Sequence, residues 1–221
     1  MVSGIRKTLH SYPPQFWLMF TGMLISSTGA SMIWPFLMIY VTGKLDLPLA
    51  QIASLTTINA IVGVLFNFIA GAATDKIGRK WVLVISLMGN GLVYLLQSYA
   101  TTYAGFAVAM ALAGAFNPLF RVGSDAMMAD IIPSEQRPEG YSIMRMSNNL
   151  GISLGPTIGG FIAAQSYSTV FFIAAGGMII YSILIMIFAR ETLPLGADQL
   201  LDSGHRGPKD CSGGRGRTSD R

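Results

Sequence analysis

The sequence predicts an all-α membrane protein that crosses the bilayer six times, and three observations predict it. Hydrophobic residues make up 52% of the chain and charged residues only 12%, against about a quarter charged in an average soluble domain. Between Phe16 and Phe188 the sequence divides into apolar blocks separated by short polar punctuation, each close to the roughly 20 residues that cross a hydrocarbon core. None of these blocks carries the charged stripe by which a helix of a soluble protein faces water. Each must be helical, because lipid offers no partner to a free backbone N–H or C=O.

The first block, Phe16–Val41, is longer than the apolar core of a signal peptide, about 7–15 residues, and further spans follow it. Ile52–Gly71 and Trp81–Tyr99 come next, joined by a short charged turn. The fourth block is Tyr103–Ala129, and "DIIPSEQRPEG" (Asp130 to Gly140), with two prolines and four charges, belongs at a membrane surface. Ser142–Ala164 and Thr169–Phe188 complete the set. Residues 1–15 are then a short N-terminal segment, 16–190 the bundle and 191–221 a polar tail. From residue 197 the tail has almost no apolar content beyond Leu200 and Leu201, too little to offset its ordering entropy, so disorder is expected. Its mixed charge gives no basis for a nucleic-acid partner.

Charge placement sets the orientation. Arg6, Lys7, Lys76, Arg79, Lys80, Arg137 and Arg190 fall on one side, and only Lys44 on the other. Basic residues accumulate on the cytoplasmic side, which puts both termini there and the protein in the cell membrane. A single cysteine, Cys211, excludes an intrachain disulfide. The only histidines, His10 and His205, lie outside the spans. That argues against an intramembrane serine protease with a histidine base and against a metal site; neither an enzyme nor a cofactor is expected.

The turn after the second block reads "GAATDKIGRKWVL", Gly71 to Leu83. It resembles the signature loop of the major facilitator superfamily, G-x-L-A-D-[RK]-x-G-R-[RK]-x-x-L. Gly71, Asp75, Gly78, Arg79, Lys80 and Leu83 match, while Ala73 and Thr74 replace the Leu and the small residue. Beside the resemblance stands a physical reading. Gly71 allows a neighbouring helix to come close, and Gly78 allows a tight turn after a helix end. Asp75 sits at a helix C-terminus, an unfavourable place for an acid without a partner. A purely topogenic loop would explain the basic residues but would not require Asp75 or the glycines. The resemblance implies a conformational latch between two halves, with Arg79 pairing to Asp130 of "ADIIPSEQR". That segment, like "RETLP" from Arg190, is similar to the family's loops at the corresponding places.

"NNLGISLGPTIGGF", Asn148 to Phe161, resembles the G-x-x-x-G-P-x-x-G-G element of the family's proton-coupled drug antiporters, filled by Gly151, Gly155, Pro156, Gly159 and Gly160. Small residues four apart also serve close helix packing in any bundle. Two departures stand out. The arginine that such antiporters carry in span four, counted back from Gly114, is Met110 here, and span one has no acid. Arg121 and Asp125, four apart in span four, are a candidate intramembrane charge pair. A neutralised pair near the interface, with Arg121 snorkelling outward, fits them equally. Ser27, Ser31 and Asn117 are candidate cavity residues, since the family's cavities use spans one and four.

The resemblance implies a twelve-helix transporter of which this chain holds the first six-helix half. Its expected activity is efflux of a small, amphipathic solute or drug by alternating access, with proton coupling as a feature of the antiporter branch. Its partners are then the bilayer, the solute and a second six-helix half, either a missing C-terminal half or a second copy. A non-transporting membrane partner or sensor, or a gene fragment, are the alternatives.

Overall fold

The computed structural model describes residues 12–193. The polar tail from residue 194 and the first eleven residues lie outside the described residues. Six long helices make up the fold: α1 (Pro14–Leu45), α2 (Leu49–Ile77), α3 (Arg79–Tyr99), α4 (Tyr103–Ile131), α5 (Arg137–Ala163) and α6 (Tyr167–Phe188), with one 3₁₀ turn at Ser134–Gln136. No strand occurs among the described residues. The helices run past the apolar blocks at several ends because the chain remains helical into the polar interface. Their boundaries have local causes. Pro14 opens α1, and Asp46 in the left-handed region (φ 50°) closes it. Gly78, at φ 103°, turns α2 into α3 with no intervening loop, a conformation that a side chain rarely adopts. Thr102 caps α4 by accepting from the Gly105 N–H.

Five of the six helices are long and apolar enough to cross a membrane by length and composition; α5 is not among them. Arg137, Glu139 and Arg145 with Asn148 and Asn149 dilute its first half. It nevertheless runs the length of the bundle beside α1. Ser147 donates to the Phe20 carbonyl at 2.7 Å, Gly151 lies against Leu24 and Thr28, and Gly159 against Met32. Both sets of numbers rise together, so α1 and α5 are parallel. The same holds for α2 and α4: Asn59 donates to Met110 O, Gly63 meets Gly114, and Asn67 meets Arg121. By contrast α6 runs antiparallel to both α1 and α3, with Gly22 on Tyr181 and Gly29 on Ala174, and Ser182 bonding Val84 while Gly91 meets Ile179.

The principal pairings are α1 with α5, α2 with α4, α3 with α6, α3 with α4, and α1 with α6, whereas helices adjacent in sequence touch little except α3 and α4. Exchanging α1–α3 for α4–α6 maps these pairings onto one another: α1·α5 becomes α4·α2, and α3·α4 becomes α6·α1. Three helices are an odd number of crossings, so the exchange also reverses direction. The bundle is an inverted repeat of three plus three helices, which the sequence does not reveal to the eye. Its core is lined by Phe16, Met19, Leu83, Leu87, Phe106 and Tyr181, each buried.

Candidate functional site: a mid-bundle cavity and a clasp at the basic end

A cavity of about 450 Å³ opens beside the middle of α1. Every helix except α2 contributes to its wall: Ser27, Ser31 and Trp34 from α1, Tyr94 from α3, Asn117 from α4 and Pro156 from α5 are representative, with Met178 from α6. The three candidate cavity residues of the sequence are therefore brought together. Ser27 donates to Asn148 Oδ1 at 2.6 Å, and Ser31 bonds its own helix and the Gly151 carbonyl at 3.0 Å. Asn117 has no partner among the described residues. Tyr94 and Asn90, which sequence reasoning did not single out for the cavity, also face it; a tyrosine deep in an apolar helix with no evident partner was the available signal.

The glycine element of α5 explains how the cavity wall is closed on one side. A Cβ at Gly151 would come within 2.9 Å of the Leu24 carbonyl, and one at Gly159 within 2.8 Å of the Met32 carbonyl. At Gly155 it would collide with Ser31 and lie 2.7 Å from Thr28 O. These three glycines admit the α1 backbone itself. Gly160 is different, meeting only the Phe36 ring at 3.4 Å, and Pro156 faces the cavity.

The second constellation lies at the end of the bundle that carries the α2–α3 turn, here called the basic end. Arg79 Nε stands 2.5 Å from Asp130 Oδ2, with both side chains largely buried. Asp130 also accepts from the Thr192 hydroxyl at 2.9 Å. Glu191 then closes the arrangement from the α6 exit: its carboxylate accepts from the backbone N–H of Arg79 at 3.0 Å and of Lys80 at 3.2 Å. An acid on the unpaired N–H groups of a helix start is a favourable use of the helix dipole. It also gives Gly78 a second reason, since a Cβ there would lie 2.5 Å from Glu191 Oε2. Gln15 and Arg190 exchange bonds between the starts and ends of α1 and α6, and Arg137 caps α4 through the Ala129 and Ile132 carbonyls. Sequence reasoning placed Arg79 and Asp130 but missed Glu191. The signal was an acid leaving span six on the same side as a helix start that lacks a cap.

Three sequence expectations meet a different geometry. Gly71 has open space beside it, with nothing within 4 Å of a would-be Cβ, so no described helix makes use of the approach it allows. Asp75 is exposed and, among the described residues, has no hydrogen-bond or ion-pair partner; neither Arg79 nor Lys80 turns toward it. Lys80 instead lies over the Trp81 ring, 6.0 Å from its centroid. Arg121 and Asp125 form no salt bridge: Arg121 donates to Asn67 Oδ1 at 2.7 Å, because parallel α2 presents a neutral acceptor at that level. Asp125 has Arg121 and, across on α5, Arg145 as its charged neighbours.

A six-helix inverted repeat around a half-open, solute-sized cavity is the architecture of one half of a secondary transporter. The chain belongs to the Major Facilitator Superfamily, whose profile matches residues 19–208. Among curated relatives it is 28% identical over 177 residues to a Na(+), Li(+), K(+)/H(+) antiporter of Planococcus maritimus, covering 78% of this chain and 41% of the relative. It is 33% identical over 138 residues to the class H tetracycline resistance protein of Pasteurella multocida, covering 62% and 34%. Among solved structures, a peptide transporter POT superposes with a TM-score of 0.71 at 18% identity, over 87% of this chain and 43% of that one. The chain thus spans less than half the length of the relatives it matches.

Proposed function

We propose that the chain is the N-terminal half of an alternating-access transporter that moves a small amphipathic solute out of the cell. The observation that carries this is the cavity: hydrogen-bonding groups on four helices converge at mid-bundle on a space with an open side. The basic end faces the cytoplasm, as the distribution of Lys and Arg requires. A second six-helix half, whether C-terminal or a second copy, covers the open side. Asp75, exposed and unpaired at the end of α2, is the group left to engage it, and the Arg79–Asp130–Glu191 clasp holds the α2–α3 turn in position for that contact. Asp125 carries the proton coupling in this half. Among the described residues it is the acid set deepest within a helix, six residues before the end of α4, and an ionisable group at such a depth is functional by default.

The test is uptake of an amphipathic dye into inverted vesicles from cells making the chain with and without a complementary six-helix half. Uptake is expected only with a second half present or with the chain assembled as a pair, and it should collapse with the pH gradient. Asp75→Asn should abolish uptake while membrane insertion stays normal. Uptake by a strictly monomeric chain, or uptake unchanged by Asp75→Asn, would overturn the assignment.

A further inference from the structure

We infer that this half's wall of the cavity selects an uncharged aromatic solute bearing both hydrogen-bond donors and acceptors; this rests on the transport reading above and names the class of cargo. No Asp, Glu, Lys, Arg or His lines the cavity. A charged solute would surrender its hydration shell here without a counter-charge. The wall instead holds neutral polar groups with unused capacity. Tyr94 is 5% exposed, faces the cavity, and its hydroxyl has no partner among the described residues. The Asn117 amide and the Trp34 indole N–H are likewise unpaired. Asn90 spends its NH₂ on the Ser86 carbonyl and keeps its own carbonyl oxygen free, while Asn148 accepts from Ser27 and keeps its NH₂. Proline adds to the acceptors. Pro35 and Pro156 have no N–H, so the carbonyls four residues earlier, at Ser31 and Ile152, lose their helical donor beside the cavity.

Both donors and acceptors thus line the space, and the rest of the wall includes aromatic and thioether surfaces: Trp34, Phe120, Met23 and Met178. Flat aromatic faces and adaptable methionines suit an aromatic body of variable outline. A polar group that a bound solute shuts off from water is costly if left unpaired, so the solute must satisfy several of these groups at once. Arg121, Arg145 and Asp125 lie outside the lining, which separates recognition of the cargo from the charged machinery.

Three compounds on one ring system test the inference: 2-naphthamide (neutral), 2-naphthoate (anion) and 2-naphthylmethylammonium (cation). Binding to the full 221-residue chain in nanodiscs is measured by calorimetry against empty nanodiscs. The difference in tryptophan emission between the parent and Trp34→Phe reports on the site. 2-Naphthamide is expected to bind at least tenfold more tightly than either charged analogue and to perturb Trp34. Tyr94→Phe and Asn117→Ala should each weaken it about three- to tenfold, with helical circular dichroism unchanged, whereas Ser142→Ala, exposed on α5 and outside the cavity lining, should have no effect. Binding of a charged analogue at least as tight as the amide would overturn the selection and leave the transport reading standing. No response of Trp34 to any of the three would remove the cavity as a solute site, and both readings with it.

Discussion

α2 and α3 are joined through a single glycine, yet the bundle treats them in opposite ways. In its most apolar stretch 67% of α3 is buried, against 11% of α2, although α2 is the more hydrophobic of the two. The residues α3 buries include Ser86, Gly89, Asn90, Gly91, Gln97 and Ser98, while α2 turns Ile61, Val64, Leu65, Phe68 and Ile69 outward. In water this would be an inversion; in lipid it is expected. Hydrocarbon chains are as apolar as leucine, so burial of apolar surface does not drive helices together there. Close packing through small residues and satisfaction of polar ones does.

That contrast can be broken at α3 first. Gly91→Leu should have the largest effect, since even a Cβ would lie 2.7 Å from Ile179 and 3.3 Å from the Ala175 carbonyl. Overpacking against a backbone carbonyl costs about 1–3 kcal/mol, read as an earlier midpoint when the helical signal is titrated with denaturing detergent. Ser182→Ala, which removes a buried bond to Val84 O of 3.0 Å, should cost about 0.6–1 kcal/mol in the same titration. The clasp at the junction of α2 and α3 ranks below these. Glu191→Gln weakens the cap on the Arg79 and Lys80 N–H groups, and an exposed charge at a helix start contributes about 0.5 kcal/mol. Its loss should shrink as salt is raised, which the detergent titration at two ionic strengths would show.

The membrane-spanning architecture was legible because block length and the absence of charged stripes report directly on the bilayer. Which helices touch was not. Parallel pairs such as α1 and α5 are distant in sequence, and the inverted repeat is written in contacts such as Gly151 on Leu24 and Gly114 on Asn59 rather than in matching letters. The site was half legible. Ser27, Ser31 and Asn117 were singled out because the cavities of the family that the sequence resembles use spans one and four, but Tyr94 comes from α3, which looks like a peripheral helix until its small residues are seen to be buried. Arg121 and Asp125 were paired by a spacing rule of a single helix. The rule failed because a neighbouring helix offered Asn67 within 2.7 Å of the guanidinium. Glu191 escaped notice because its role depends on where α6 ends relative to the start of α3, a tertiary fact.

The smallest effect sharpens the comparison most. Phe68 is 81% exposed at the outer face of α2, and truncating a side chain that packs on nothing in this half should change stability by less than about 0.5 kcal/mol. The detergent titration of Phe68→Ala for the chain alone should therefore overlay that of the parent. A loss above 1 kcal/mol would mean that α2 is packed in the isolated half and that its apolar face is not waiting for anything. The same position then separates lipid from protein as the natural cover. In Phe68→Cys the thiol should react with a membrane-permeant maleimide when the chain is alone. If the second half seats on α2, co-expression should slow that reaction severalfold, whereas labelling of Phe172→Cys, exposed on α6, a helix to which no contact with the second half is assigned, should stay the same. Equal rates at Phe68 with and without the second half would place the partner elsewhere. Asp75, one end of the same helix, would then lose the neighbour assigned to it.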